Sequence, residues 1–481
     1  MEETIYKNRM LILLNIVMMT FMATLDGSIV NVALPVMAKE LSVTTQSVAW
    51  VVTAYLIVIS TTILIFGKLG DIRGKTGVFK FGIVIFTLGS LMCGIPVSFQ
   101  FLVAARIIQA VGAAAFMANS QGIITHVFPR NERGRALGIS GTFVALGSLV
   151  GPPLGGFIIS VLNWNYIFLI NVPIGIFTLI MGMKTLPAND FKTLERFDFK
   201  GAILIVATIF FLFGALLAGE NIGYVNPLIL SGFAFSIISL VMLIIVEKNV
   251  KAPLLALNIF HNKLFSLSIF CAFISFLAIS CSSIIQPFYL QDVIKLTPAS
   301  TGLIMMAFPL ILAVVAPISG HLSDKIGSEF LTFLGLLLTS AGLFLLSTLN
   351  EYSNMALMVV FIAIMSIGNG MFQSPNTSLI MSTVPLDKLG IAGSVNALVR
   401  NLGMVFGITM ATTLLYDRMS YKLGRRVSDF IPGEEHAFIY GMRIVFIAAG
   451  IFCALGALLT AYRLIEKRTK LKSMEQDMTK E

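Results

Sequence analysis

Gly67-Lys68-Leu69-Gly70-Asp71-Ile72-Arg73-Gly74 returns 253 residues later as Gly320-His321-Leu322-Ser323-Asp324-Lys325-Ile326-Gly327, with Gly, Leu, Asp and Gly in the same places. Each copy is a short polar stretch between two long apolar runs. Glycine tolerates backbone angles that other residues avoid, so both stretches can reverse the chain tightly. Asp71, with Arg73 and Lys75, supplies charges able to pair across a helix end. Taken alone, the stretch also fits an ordinary solvated turn. Further along, Gly134, Gly147 and Gly151 match Gly390, Gly403 and Gly407 at a separation of 256. Glycines recur by chance, whereas a shared Gly-x-Leu-x-Asp-x-x-Gly does so far less readily. The chain is therefore read as an internal duplication.

The runs around these loops identify the solvent. Of 481 residues, 57% are hydrophobic and 12% charged, with a mean hydropathy of +0.92. A soluble domain carries roughly 25% charged residues, so about half the polarity needed to face water is missing, and the solvent must be lipid. A helix crossing the hydrocarbon needs about 20 mostly apolar residues. Such windows lie near 10–36, 47–67, 78–97, 101–126, 135–160, 165–186, 201–218, 227–246, 264–290, 300–320, 329–349, 355–382, 389–415 and 438–465. The first run is too long for a signal peptide, and no small-residue cleavage site ends it.

Loop charge supports the even count. With both termini in the cytoplasm, the inside segments hold 24 of the 33 Lys and Arg and the outside holds seven. The remaining two, Arg106 and Arg400, fall within spans. This is the positive-inside pattern. It also accounts for the net charge of +9 without a nucleic-acid partner. The expected fold is all-α integral membrane, two six-helix bundles plus two extra transmembrane helices. Residues 1–186 form the N-terminal bundle, 187–262 the extra pair with linkers, and 263–481 the C-terminal bundle with a basic tail. Duplicated bundles of this kind characterise secondary transporters, whose solute binds between the repeats near the midplane.

Asp26 lies in the middle of span one, within Leu25-Asp26-Gly27-Ser28-Ile29-Val30-Asn31-Val32-Ala33-Leu34-Pro35. A carboxylate facing lipid there costs several kcal/mol, so Asp26 is expected to face a cavity, where it can carry a proton. A fixed acid bonded to Ser28 or a neighbouring helix is the alternative. Arg106 in span four shares a helical face with Gln109, and a buried cation needs a partner or water. Coupling of Arg106 to Asp26 is expected, as a proton-responsive pair or as a purely structural tie between helices. Gly147, Gly151, Gly155 and Gly156 allow close helix packing, while Pro152 and Pro153 remove backbone donors and bend span five. The second half keeps Gly403 and Gly407 but lacks those prolines and any counterpart of Arg106. Arg400 is that half's own intramembrane cation, for solute, lipid or pairing. Asn31, Gln109, Asn369, Gln373 and Asn376 are the polar candidates for the cavity wall.

These stretches resemble the major facilitator superfamily, and within it the fourteen-span drug:proton antiporters, over nearly the whole chain. Gly67–Gly74 looks like the superfamily's signature loop, with Ile72 where Arg is common. Arg106-x-x-Gln109 resembles the proton-transfer motif, with Ala110 in a usual Gly position. Gly147 to Gly156 is similar to the motif of antiporters rather than symporters. Leu25-Asp26 through Pro35, with Ser28 for the usual Thr, and Trp164…Phe168…Asn171-x-Pro173-x-Gly175 look like the fourteen-span branch. The resemblance implies that Asp26 and Arg106 form the coupling pair. It makes Gly67, Asp71, Arg73, Gly74 and Asp324 the cytoplasmic gate.

The expected activity is proton-coupled export of drugs or other small amphiphiles from a bacterial cell by alternating access. The alternative is export of an endogenous lipid, fatty acid or metabolite on the same fold. Cys93, Cys271, Cys281 and Cys453 sit singly in apolar runs, and the four histidines are scattered, so no metal site or disulfide framework is expected. No cofactor beyond the proton-motive force is expected; the partners are solute, protons and the bilayer, with the chain acting as a monomer in the plasma membrane. A redox-complex proton pump would carry a relay of intramembrane Lys, Glu and His, and a nucleotide enzyme a Gly-x-x-x-x-Gly-Lys-Ser/Thr loop. Neither is present, and no loop is large enough for a receptor domain.

Overall fold

Backbone polar groups find no water in hydrocarbon, so each apolar run must close its own hydrogen bonds as a helix. The computed structural model describes residues 8–95, 98–187, 197–250, 253–255, 257–385 and 389–478, except for the side chains of 130, 131, 220, 221, 324, 389, 390 and 465–478. Among the described residues, fourteen helices are long and apolar enough to cross a membrane. The first half contains α1 (Arg9–Glu40), α2 (Trp50–Arg73), α3 (Lys75–Cys93), α4 (Phe99–Val127), α5 (Arg130–Val161) and α6 (Asn171–Thr185). Next come α7 (Phe199–Ile222) and α8 (Pro227–Asn249). The second half contains α9 (Lys263–Phe288), α10 (Ala307–Ile326), α11 (Ser328–Leu346), α12 (Met355–Ser382), α13 (Leu389–Leu423) and α14 (Glu435–Met478). The side of the bundle on which α1 begins is called the terminal face, and the opposite side the far face.

Turn chemistry sets many of the helix starts. Asn226, Asn262 and Asn354 accept from the backbone N–H two residues on, at 2.8–2.9 Å, and Asp198 accepts from Gly201 N–H at 2.9 Å. Such caps satisfy donors that a helix leaves open. Some helices overrun their apolar windows. A loop was expected from about 416, yet α13 continues through Asp417, Arg418 and Lys422 to Leu423. Once clear of lipid, a helix needs its backbone bonds but no longer apolar side chains.

The duplication is visible in the backbone. Gly74 (φ 101°, ψ 125°) separates α2 from α3, and Gly327 (φ 90°, ψ 139°) separates α10 from α11. Both take the positive-φ conformation that favours glycine. Glycines also fix the tightest crossings in each half. A Cβ on Gly82 would stand 2.7 Å from the Gly112 carbonyl oxygen, joining α3 to α4. One on Gly335 would stand 2.7 Å from that of Gly368, joining α11 to α12. In lipid, close backbone approach replaces the hydrophobic drive as the source of helix association.

Helices α1 to α6 pack among themselves, chiefly α3 on α4, α1 on α5, α2 on α4 and α6 on α3; helices α9 to α14 do likewise, chiefly α9 on α13 and α11 on α12 and α14. The pair α7–α8 is held together, with α7 leaning on α2 and α13. The two halves meet where α1 touches α9, α2 touches α13, and α5 touches the short helix Pro298–Met305 that precedes α10. α5 presses closely on that short helix but only weakly on α10 itself. The two therefore diverge from the far face toward the terminal face.

Overfilling a close crossing tests this packing. Gly112→Leu should cost about 1–3 kcal/mol through overpacking, lowering the melting temperature of the detergent-solubilised protein. Gly214→Ala, where an added Cβ meets nothing within 4 Å, should melt like the wild type.

Candidate functional site

Five helices of the first half converge on Asp26. The carboxylate and the Arg106 guanidinium are both 0% exposed, with Arg106 Nη1 donating to Asp26 Oδ2 at 2.5 Å. Asp26 Oδ1 accepts from Gln109 Nε2 and from Asn171 Nδ2, each at 2.9 Å. Arg106 also donates through Nε to the Val51 carbonyl at 3.0 Å and through Nη1 to Gln109 Oε1 at 2.6 Å. Gln109 Nε2 further reaches Ser90 Oγ at 2.9 Å. The guanidinium lies 4.1 Å from the Tyr55 ring centroid and 5.5 Å from that of Phe168. Helices α1, α2, α3, α4 and α6 each contribute a group.

The charge balance is tight. Removing two ions from water costs several kcal/mol apiece unless geometry and extra hydrogen bonds compensate. Here each carboxylate oxygen has at least one donor, and the guanidinium has three acceptors and an aromatic face. Protonation of Asp26 would remove the only anion paired with Arg106 among the described residues, leaving it the Val51 and Gln109 oxygens and the ring faces.

Asp26 does not line an open cavity as expected from the sequence; it is sealed inside the first half. Gln109 likewise belongs to this network rather than to a cavity wall. Asn369 Nδ2 donates to Ser275 Oγ and Asn376 Nδ2 to the Ser268 carbonyl, both at 3.0 Å. These asparagines are 1% and 2% exposed and tie α12 to α9, because a polar side chain in lipid is stabilised by a partner helix. Gln373 is half-buried on the same helix. Arg400 is partly exposed on α13, and its Nε, shielded from solvent, has no acceptor.

Asn31 joins the halves. Its Nδ2 donates to Ser283 Oγ at 2.9 Å, from α1 to α9. Toward the far face, α9 continues as a wider turn, Tyr289–Val293, in which Ile294 N–H donates to the Tyr289 carbonyl. Such turns are rare and re-aim side chains. Here Gln291 Nε2 donates to the Val32 carbonyl at 2.9 Å, and Lys39 Nζ pairs with Asp292 Oδ1 at 2.6 Å. The Thr45 hydroxyl and N–H both donate to Asp429 Oδ1, and Ala299 N–H donates to Ser160 Oγ at 3.2 Å. Gly147, Gly151 and Gly155 lay α5 directly on α1. A Cβ on Gly156 would strike the Pro298 carbonyl, and one on Gly302 the Pro152 carbonyl beside Pro153. α5 stays continuous through both prolines.

At the terminal end of α2, Asp71 pairs with Lys75 across the turn. Gly67 and Gly70 let α4 approach, with Asn119 Nδ2 donating to the Phe66 carbonyl at 3.1 Å. Gly74 makes the turn and Arg73 is exposed. Asp324 sits in α10 at the matching place, and its side chain lies outside the described residues. Residues the sequence reading did not single out as site residues are Tyr55, Ser90, Phe168, Asn171 and Asp292. An Asn inside an apolar span was the available signal for Asn171. The others look ordinary until the helices assemble.

Among the described residues the second half has no buried acid–arginine pair at the matching place; its buried Arg463 donates instead to the Ser268 and Thr332 hydroxyls at 3.1 and 2.8 Å. Separations of 253 and 256 residues superpose the glycine crossings, placing Ile362 and Met365 where Arg106 and Gln109 stand. Both are buried and apolar.

The sequence model of the Major Facilitator Superfamily matches residues 16–408, with a second match over 268–478. The chain belongs to that superfamily. The riboflavin transporter RibZ of Clostridioides difficile is 34% identical, covering 95% of this chain and 98% of its own. The multidrug transporter MdtP of Bacillus subtilis is 28% identical, covering 91% and 81%. A crystal structure of a POT family transporter in complex with 5-aminolevulinic acid has a TM-score of 0.70 at 15% identity, over 95% of this chain and 96% of that one, a likeness of fold. Family and relatives are membrane transporters.

Breaking the pair from one side should be costly. Arg106→Ala should destabilise the solubilised protein by about 3–5 kcal/mol, since it strands a buried carboxylate. Asp26→Asn combined with Arg106→Gln should recover part of that loss in thermal unfolding. A single variant as stable as wild type would show that the pair does not hold α1 to α4.

Proposed function

We propose that the protein is a proton-coupled antiporter of the bacterial plasma membrane that exports small amphiphilic molecules, drugs among them, by alternating access. The terminal face is cytoplasmic. The described conformation is sealed at the outer side and opens inward, with residues 1–186 and 263–481 as the two bodies that rock. The observation that carries this reading is the sequestered Asp26–Arg106 pair in the half that also supplies one side of the outer closure. A carboxylate that trades its arginine for a proton changes the bonding of five helices at once. Release of α1 from α4 then loosens the α1–α9 seam at Asn31–Ser283 and the ties at Lys39–Asp292 and Val32–Gln291. Divergence of α5 from α10 toward the terminal face supports the inward opening. Asp71–Lys75 and the glycines of the α2–α3 turn form the inner gate that would close in the opposite state.

A second solute reading, export of an endogenous metabolite, is favoured by the relative named a riboflavin transporter. Both readings use the same proton machinery and differ only in the solute.

Reconstitution tests the coupling. Proteoliposomes should take up or release solute in the direction an imposed pH gradient dictates, and dissipating the gradient should stop net flux. Asp26→Asn should abolish gradient-driven flux per folded molecule while retaining solute binding, with flux normalised to the folded protein that its lowered stability leaves. Flux that ignores gradients of either sign removes proton coupling from the account.

Cross-linking tests the motion. Lys39→Cys with Asp292→Cys, oxidised to a disulfide, should arrest transport, and reduction should restore it. The four native cysteines are buried and unpaired, which leaves the introduced pair as the accessible target. Undiminished transport by the oxidised pair would mean that the outer side does not open there.

A further inference from the structure

Arg400 is a cation at membrane depth that the proton network does not use. It lies three turns into α13, a helix bordered by α9, α12, α14, α2 and α7. It touches both α9 of its own half and α2 of the other, so it runs along the seam between the halves. Residues 396–400 are all partly exposed. Asn396, one turn before Arg400 and on the same face, has a shielded Oδ1 without a donor, and Arg400 Nε is shielded without an acceptor. Among the described residues no acid pairs with Arg400, whereas Arg9, Arg106 and Arg418 each have one. A guanidinium in a low-dielectric setting without a counter-ion is strongly disfavoured, and its planar donors suit a carboxylate or phosphate.

Beside this cation is an apolar wall. Less than one turn along α13, Gly403 lies against the Phe273 carbonyl and the Phe276 side chain of α9. Phe273, Phe276, Ile279 and Ser283 are the partly exposed positions on that stretch of α9, a three- to four-residue spacing that makes one stripe. Phe273 stacks edge-on with Phe406, 5.5 Å between centroids. The stripe ends at the Asn31–Ser283 bond, where the halves close.

We propose that Arg400, with Asn396, is the docking point for the anionic group, carboxylate or phosphate, of the exported amphiphile, whose apolar body lies along the Phe273–Phe276 stripe. The protein then selects amphiphilic anions over cations of the same body. This rests on the export reading for its biological sense, but the recognition itself needs no gradient.

The probes are pyrenebutyrate, its methyl ester, and a pyrenebutyl trimethylammonium cation, titrated by fluorescence onto full-length protein held in amphipol. Wild type should bind the acid at least about tenfold more tightly than the ester or the cation, as expected of a charge-assisted contact. Arg400→Gln should erase the preference and Arg400→Lys should keep part of it, with melting curves confirming that both are folded. Asp26→Asn should keep the full preference, so failure of proton coupling and failure of this site are separate results. Phosphatidylglycerol added at membrane abundance should leave acid binding unchanged. Three outcomes overturn the proposal: equal binding of acid, ester and cation by wild type; a preference that survives in Arg400→Gln; and displacement of the acid by phosphatidylglycerol, which would make this a lipid-headgroup site. Should Arg400→Gln fail to fold, the wild-type comparison alone still decides.

Discussion

A carboxylate and a guanidinium 2.5 Å apart, with no exposure to solvent, impose the strongest constraint in this molecule. In a low-dielectric interior neither ion is tolerable without the other, and the pair is tolerable only when its remaining lone pairs and protons are also matched. Gln109, Asn171, Ser90 and the Val51 carbonyl meet that demand from four different helices. The first half is thereby organised around one charge balance. Any event that alters the charge of Asp26 is felt by every helix in contact with it. Polar networks in lipid hold helices together and also expose them to this kind of disturbance.

The joint between the halves is built differently. It uses glycine contacts and single hydrogen bonds toward the far face, with one ion pair in which Lys39 is largely exposed. Only the Lys39 end of that pair is open to water, Asp292 being buried, while backbone contacts through glycine separate without stranding a charge. A rigid, charge-locked bundle thus meets its partner across a seam made mostly of contacts that carry no charge. That contrast in bond type is what the proposed rocking motion requires.

Duplication supplied two similar scaffolds with unequal chemistry. The glycine crossings and the positive-φ turns are retained in both. Ile362 and Met365, by contrast, occupy the places of Arg106 and Gln109, so the second half holds its helices with packing, asparagine and serine bonds, and the Arg463 guanidinium, which donates to Ser268 and Thr332. Arg400, which has no acid partner among the described residues, leaves its Nε without an acceptor.

The fourteen spans, the even count, the duplicated loop and the identity of the two intramembrane charges in the first half were all legible in the residues. Each depends on local properties: hydropathy over 20 residues, loop charge, and the backbone freedom of glycine. Span ends were less legible, because a helix continues past the lipid wherever its backbone bonds can, as α13 does to Leu423. Asp26 and Arg106 could be named as partners because a buried charge demands an opposite one. Which way they faced could not be read. Whether Asp26 looks into a cavity or into the bundle depends on the rotation and tilt of five helices, and those are settled by glycine contacts between segments far apart in the chain, as at Gly182 and Asn15. The same holds for Asn369 and Asn376, polar by sequence and turned into the helix packing by structure, and for Tyr55 and Ser90, which acquire meaning only from what assembly places beside them. Composition and periodicity determine that a chain will span a membrane and what charges it must hide; only the three-dimensional arrangement of the helices decides which side chain answers each charge.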